Sequence, residues 1–134
     1  MVSSEQRSAV TVVSTFIDCI NHGDIDGLSA LMTDDHTLRV FDEAPLVGRR
    51  ANVEAWRGYA SAFPHYVIYP HEFSERGDAV AVVGHTTGSH LGLPDDEEQK
   101  LTVIWFARVD SERLSLWQIF EDDALRRREF GLVG

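Results

Sequence analysis

Cysteine is nearly absent from this chain, which contains a single one, Cys19. A disulfide bond within the chain is therefore excluded. Cys19 lies in an apolar stretch with helical spacing, where no neighbouring basic residue would activate its thiol. We predict a buried, unreactive thiol rather than a nucleophile.

Basic residues are also scarce, because 12 Lys and Arg stand against 22 Asp and Glu, for a formal net charge of −10. Nucleic acids and anionic membranes both bind to basic surfaces, so neither is expected as a partner. The six histidines show no i, i+4 pair and no neighbouring cysteine, so no metal site is expected.

Long apolar runs are missing as well. No stretch approaches the roughly 18 apolar residues that span a bilayer. The polar residues 1–7 lack the apolar core of a signal peptide. The chain is therefore expected to be cytoplasmic.

The hydrophobic pattern predicts helices first and strands afterwards, in one domain covering residues 1–134, which is typical of an α+β fold. Helical spacing and turn residues give the following boundaries. Helices are predicted at 5–22, 25–32, 53–63 and 124–130, and strands at 37–41, 66–73, 79–90, 101–109 and 114–120. Turns or loops are predicted at 34–35, 45–48 and 92–98, with the acids of 95–98 in solvent.

The last predicted strand ends on three acids, Glu121, Asp122 and Asp123. Side chains alternate between the two faces of a strand. Regular alternation places Asp122 on one face together with Leu114, Leu116, Gln118 and Phe120, and places Trp117, Ile119 and Glu121 on the other.

Several short motifs together resemble the SnoaL-like polyketide cyclases, a family of the nuclear transport factor 2-like (ketosteroid isomerase-like) superfamily. The match runs from about Phe16 to Gly131. The motifs are Gly48 before the third helix, Ala-Phe-Pro at 62–64, Gly-Asp-Ala-Val-Ala-Val at 77–82, Gly-Ser-His-Leu-Gly at 88–92, Arg-Val-Asp at 108–110, Leu114 and Gly131. The resemblance implies a cone-shaped, curved, mixed or antiparallel sheet wrapped around the N-terminal helices, with an apolar pocket inside.

The resemblance also implies an acid/base carboxylate on the closing strand, which the family uses for an aldol condensation without metal or cofactor. Anchoring on Leu114 and Gly131 gives Asp122 this role, whereas anchoring on Trp117 gives it to Glu121. Capping of the last helix, by Asp122 or by Asp123, is the competing interpretation. His90 and Gln118 would orient a substrate carbonyl, although His90 could equally be a strand-end residue bonded to backbone or solvent.

The pocket walls are predicted from alternation and from the resemblance. The expected lining is Phe16, Val40, Trp56, Tyr59, Leu101, Val103, Trp105, Leu116 and Phe120, which suits a hydrophobic ring-containing ligand. Alternatively, these residues simply fill the core. Ile104, Phe106, Trp117 and Ile119 are expected on the outer face of the sheet, where they predict a homodimer.

Other enzymes of this fold fit less well. The positions of the polar groups of ketosteroid isomerase are occupied by Phe16, Val40 and Trp105. The Asp-Arg-Asp cluster of limonene-epoxide hydrolases has no inward counterpart, since Arg108 shares a face with Ile104 and Phe106. The sequence therefore predicts a cofactor-independent enzyme performing cyclisation, isomerisation or lyase chemistry on a hydrophobic carbonyl compound, or a non-catalytic ligand-binding or dimerisation module.

Overall fold

A computed structural model describes residues 7–133, which form helices and one mixed sheet, so the predicted α+β class is confirmed. The helices are α1 (Ala9–Asn21), α2 (Ile25–Ala30), α3 (Arg49–Ala62), α4 (Asp95–Glu98) and α5 (Ala124–Phe130). The strands are β1 (Met32–Val40), β2 (Leu46–Val47), β3 (Val67–Arg76), β4 (Ala79–Thr87), β5 (Val103–Asp110) and β6 (Arg113–Glu121).

The helix α1 is amphipathic, as its apolar spacing predicts. Ser8 caps its start by accepting a hydrogen bond from the backbone N–H of Thr11, at 3.2 Å. The predicted start at residue 5 lies outside the described residues. Its buried stripe packs against the sheet and comprises Ala9, Val12, Val13, Phe16, Ile17 and Ile20.

The sheet has the strand order β2-β1-β6-β5-β4-β3, in which β1 and β6 are parallel and all other neighbours are antiparallel. The strand β1 begins at Met32, so the turn predicted at 34–35 lies inside a strand. The strand β2 occupies part of the segment predicted as a loop. The strand β1 pairs with the distant strand β6, and the two residues of β2 pair with the neighbouring strand β1, so neither segment is defined by its own local pattern.

Regular alternation along β6 is the expectation that the structure overturns. Leu116 pairs with Arg108 and Leu114 pairs with Val109, so Ser115 is an extra residue without a partner. Such a bulge reverses the face of the sheet on which each later residue of the strand lies. Leu114 and Trp117 therefore both join the inner core, although they are three residues apart.

The inner core is centred on Phe16, which has no solvent exposure. Its ring lies 5.1 Å from the ring of Trp117 and 5.9 Å from the ring of His36, measured between centroids. Trp117 in turn stacks on Trp105 at 6.3 Å. Burial lowers the pKa of His36, whose Nδ1 lies 2.7 Å from the carbonyl oxygen of Leu114. A neutral imidazole therefore forms part of this core.

The outer face of the sheet is covered in part by the chain itself, through α5. The ring of Phe130 stacks on Phe106 at 4.9 Å and lies 5.4 Å from the ring of Phe120. The prediction of Trp117 and Ile119 on this face is wrong, because the bulge turns both inward. The homodimer stays a prediction.

No helix within residues 7–133 has the length and apolar character needed to cross a membrane.

Candidate functional site

An apolar cavity of about 190 Å³ lies between α3 and the inner face of β1 and β6. Its floor consists of two cross-strand pairs, Leu38 with Trp117 and Val40 with Ile119. The helix α3, the residue before β3 and the loop after β4 form the remaining walls. The full lining is Leu38, Val40, Ala55, Trp56, Tyr59, Tyr66, His90, Trp117 and Ile119.

A hydrogen-bonded pair, Tyr59 and His90, lies at the solvent side of this cavity. The Tyr59 hydroxyl is 2.9 Å from Nδ1 of His90, and it accepts from the His90 backbone N–H at 3.1 Å. Burial raises the pKa of Tyr59, so the phenol stays protonated near neutral pH. If Tyr59 donates to Nδ1, Nε2 carries a proton. If Nδ1–H donates to Tyr59, Nε2 has a free lone pair.

The loop that carries His90 is held by a buried carboxylate, Glu98, at the end of α4. Glu98 is 1% exposed, which corrects the prediction that this acid is solvated. Its Oε2 accepts from the hydroxyl of Thr86, and its Oε1 accepts from the backbone N–H of Ser89 at 3.4 Å. The carboxylate therefore joins the last residues of β4 to the residue before His90.

Two further hydrogen-bond donors lie on the cavity wall. Burial raises the pKa of Tyr66, so its hydroxyl stays neutral and can donate. The indole Nε1 of Trp56 is buried, and no residue within 7–133 accepts its hydrogen. The cavity thus combines apolar walls with hydrogen-bond donors for a polar group of a ligand.

The predicted wall and site residues fall into four groups. Val40, Trp56, Tyr59 and His90 line the cavity. Phe16, Val103 and Trp105 belong to the core around it and are not part of its lining. Leu101 is 50% exposed. The predicted inward orientation of Leu116, Gln118 and Phe120 is wrong, because the bulge at Ser115 turns them to the outer face.

Sequence reasoning missed five residues of the cavity lining, Leu38, Ala55, Tyr66, Trp117 and Ile119. Of these, Tyr66 was assigned only as the first residue of a strand. A signal was present, since Trp56, Tyr59, Phe63 and Tyr66 continue the three- and four-residue spacing of α3 beyond its end. The rings of Tyr59 and Tyr66 meet edge to face at 5.0 Å. The regular aromatic spacing therefore indicated that Tyr66 lies beside Tyr59, although the helix ends before Pro64.

Asp122 lies away from the cavity, against α5, so the face predicted for it is wrong. Nε and Nη2 of Arg127 donate to its two carboxylate oxygens at 2.6 and 2.7 Å. The hydroxyl of Thr102 also donates to it, at 2.6 Å. The residue that caps α5 is Asp123, which accepts a hydrogen bond from the backbone N–H of Arg126 at 2.7 Å. The catalytic role of Asp122 stays a prediction.

The bidentate contact with Arg127 lowers the pKa of Asp122, which predicts a pH-dependent contribution to stability. The contribution is complete above the usual value of 3.8 and decreases as the pH falls through the lower folded-state pKa. Asp122→Asn should therefore lower the free energy of unfolding by about 1–3 kcal/mol at pH 7, with a smaller effect at pH 3. Urea denaturation of both proteins at the two pH values measures this, and an equal difference at both would contradict it.

Metal ligands are not grouped in the part of the chain that the structure describes. Within residues 7–133, no three His, Cys, Asp or Glu side chains are arranged to hold a metal ion. A pair of histidines on β3 and β4 comes closest, with Nε2 of His71 at 2.7 Å from Nδ1 of His85.

The arrangement of helices inside an open mixed sheet is shared with solved structures of low sequence identity. A candidate polyketide cyclase from Sinorhizobium meliloti is 24% identical, with a TM-score of 0.67 over 84% of this chain and 99% of the other. An uncharacterized cystatin fold protein from Novosphingobium aromaticivorans is 17% identical, with a TM-score of 0.74 and coverages of 86% and 99%. An epoxide hydrolase of the limonene-epoxide hydrolase-like type from M. tuberculosis is 19% identical, with a TM-score of 0.65 and coverages of 85% and 82%.

These similarities show that the chain has the nuclear transport factor 2-like fold, as predicted. Within this class, residues 13–117 match the model of the SnoaL-like domain. The chain therefore belongs to the SnoaL-like family. No curated protein matches it by sequence.

Proposed function

We propose that the chain binds a small hydrophobic carbonyl compound in the cavity and catalyses proton transfer on it without a cofactor. The observation that carries the proposal is the Tyr59–His90 pair at the edge of an otherwise apolar cavity. Imidazole is the side chain most often used for proton transfer, and donation from Nδ1–H to the Tyr59 hydroxyl is the arrangement that leaves Nε2 free to accept a proton. Drug-sized ligands occupy cavities of about 300–1,000 Å³, so the smaller volume here suits a single ring.

The proposed step begins when Nε2 of His90 removes a proton from the carbon beside the carbonyl. The electron pair of the broken C–H bond becomes an enolate, whose oxygen accepts hydrogen bonds from the Tyr66 hydroxyl and the Trp56 indole N–H. Return of the proton to another carbon completes an isomerisation. Attack of the enolate on a second carbonyl of the same molecule, with the proton passing to the new alkoxide, completes an aldol cyclisation.

Binding without turnover is the alternative function. It is favoured by the cavity lining, which contains no Asp or Glu among the described residues. A module of this kind would hold the same class of ligand in the same place, with His90 as a hydrogen-bond partner only. A cytoplasmic location and a homodimer remain part of the proposal, and sedimentation velocity of the purified protein tests the latter.

Deuterium exchange separates the two functions. Small ketones such as cyclohexanone, 2-cyclohexenone and acetophenone are incubated with the protein in D₂O, and loss of the α-proton signal is followed by NMR. Acid/base catalysis predicts saturable exchange above the buffer rate. Saturable binding with exchange at the buffer rate supports the binding module, and absence of both binding and exchange contradicts the proposal.

A further inference from the structure

A second cavity, of about 390 Å³, lies against the outside of the first. We call it the outer groove, and it is formed by residues 20–23 at the end of α1 and, at the end of α3, by Ala60, Ser61, Phe63 and Pro64. Trp56, Tyr59 and Tyr66 line both cavities. These three side chains are therefore the boundary that a ligand extending from one cavity into the other would pass.

The outer groove lies at the C-terminal ends of α1 and α3, where the helix dipole is negative. The carbonyls of residues 18–20 already accept backbone N–H groups, so the free acceptors lie at the end of α3. Proline removes one further donor, because Pro64 has no N–H to offer the carbonyl of Ala60. No donor within residues 7–133 reaches the carbonyl oxygens of Ala60 or Ser61. The backbone here presents hydrogen-bond acceptors to a ligand.

The side chains of the outer groove add no positive charge to oppose these acceptors. No Lys or Arg is part of its lining. The imidazole of His22 lies with Nδ1 2.7 Å from the carbonyl oxygen of Asp18, so Nδ1 donates there. The whole chain carries a net charge of −10. A carboxylate or phosphate at this end of the groove would meet no Lys or Arg and would lie beside the unpartnered carbonyls of Ala60 and Ser61.

From these contacts we infer that the ligand has two parts. A single apolar ring occupies the inner cavity, and a short chain passes Trp56, Tyr59 and Tyr66. The chain ends in a hydrogen-bond donor, a hydroxyl or an ammonium group, within the outer groove. The inference rests on the proposed function for the ring and its carbonyl, and on the outer groove for the end group.

A matched ligand series tests the end group directly. The probes are 4-phenylbutylamine, 4-phenylbutan-1-ol and 4-phenylbutanoate, which share ring and chain, and affinities are measured by NMR titration. The amine and the alcohol should bind at least about tenfold more tightly than the carboxylate, the size expected for one hydrogen bond. Equal affinities, or tighter binding of the carboxylate, would overturn the inference.

Two substitutions at the end of α3 locate the end group. Ser61 lines the outer groove and is exposed, whereas its exposed neighbour Ala62 lines neither cavity. Ser61→Trp should weaken binding of the amine and the alcohol at least about tenfold and leave cyclohexanone binding unchanged, whereas Ala62→Trp should change neither. Equal loss in both variants, or no loss in Ser61→Trp, contradicts the placement.

The same proteins distinguish failure of the inference from failure of the proposed function. Exchange of cyclohexanone protons depends on the inner cavity alone. If exchange occurs and the end group has no effect, the two-part ligand is wrong and the proposed function stands. If cyclohexanone neither binds nor exchanges while the amine series keeps its order and its loss in Ser61→Trp, the groove assignment stands and the proposed function is wrong.

Discussion

Replacing His90 by alanine should lower enzyme-catalysed proton exchange by about 10²–10⁴-fold, the usual contribution of a general acid or base. Among the described residues, His90 is the imidazole of the cavity lining, which contains no Asp or Glu, so it is the candidate base there. It is exposed and belongs to a loop, so its removal should not unfold the protein. The rate of α-proton exchange in D₂O, at saturating ketone, measures the loss.

Two control variants make this prediction specific. Tyr59→Phe keeps the ring packing but removes the hydroxyl at Nδ1, and should cost about tenfold through loss of one hydrogen bond. Asp122→Asn should change the exchange rate by less than about threefold, because the carboxylate is bound to Arg127 outside the cavity. If Asp122→Asn abolishes exchange and His90→Ala does not, the sequence-based assignment of Asp122 as acid/base is correct and the cavity assignment is wrong.

Gly88→Ala should be among the most destabilising single substitutions in the chain, lowering the free energy of unfolding by about 3–5 kcal/mol. Gly88 has a φ of +70°. A methyl group on its Cα would come within 2.3 Å of the carbonyl oxygen of His65. The backbone of the His90 loop would have to move, so the Tyr59–His90 hydrogen bonds should be lost as well.

Gly92→Ala is the matched control for this substitution. Gly92 belongs to the same loop and has a φ of +69°, but its added methyl group meets nothing within 4 Å. Its cost should be limited to the left-handed backbone, about 1–2 kcal/mol. Urea denaturation of both variants gives the two values, and equal destabilisation would show that the contact with His65 is unimportant.

The sequence predicted those parts of the fold that depend on neighbouring residues. The boundaries predicted for α5 match the structure, and α1, α3 and the hairpins of β3, β4, β5 and β6 are displaced by a few residues only. Helical spacing and turn residues act over four to ten residues, so one sequence contains this information. The segment 34–35 was missed because β1 pairs with the distant strand β6, and the segment 46–47 was missed because β2 is only two residues long.

The orientation of β6 could not be predicted, because one extra residue decides it. Nothing in the letters Leu-Ser-Leu-Trp marks Ser115 as a bulge, yet the bulge exchanges the faces of Trp117 and Gln118. Asp122, which was predicted as the acid of the pocket, therefore also lies away from the cavity. His90, Trp56, Tyr59 and Val40 were placed correctly because they lie on other elements.

The burial of Glu98 could not be predicted from the residues around it in the sequence. Four consecutive acids look like a solvated loop, and three of them are exposed. The short helix α4 turns only the last one inward, where Thr86 and Ser89 supply donors from another part of the chain. A periodic pattern needs more than one helical turn to become visible.

The parallel pairing of β1 with β6 has a consequence for synthesis on the ribosome. The hairpins of β3, β4 and β5 contain neighbouring segments and can pair as they emerge. Leu38 and Val40 cannot pair until Trp117 and Ile119 have been synthesised, near the end of translation. The cavity floor is therefore the last part of the sheet to form, and a nascent chain acquires the cavity only when β6 has been translated.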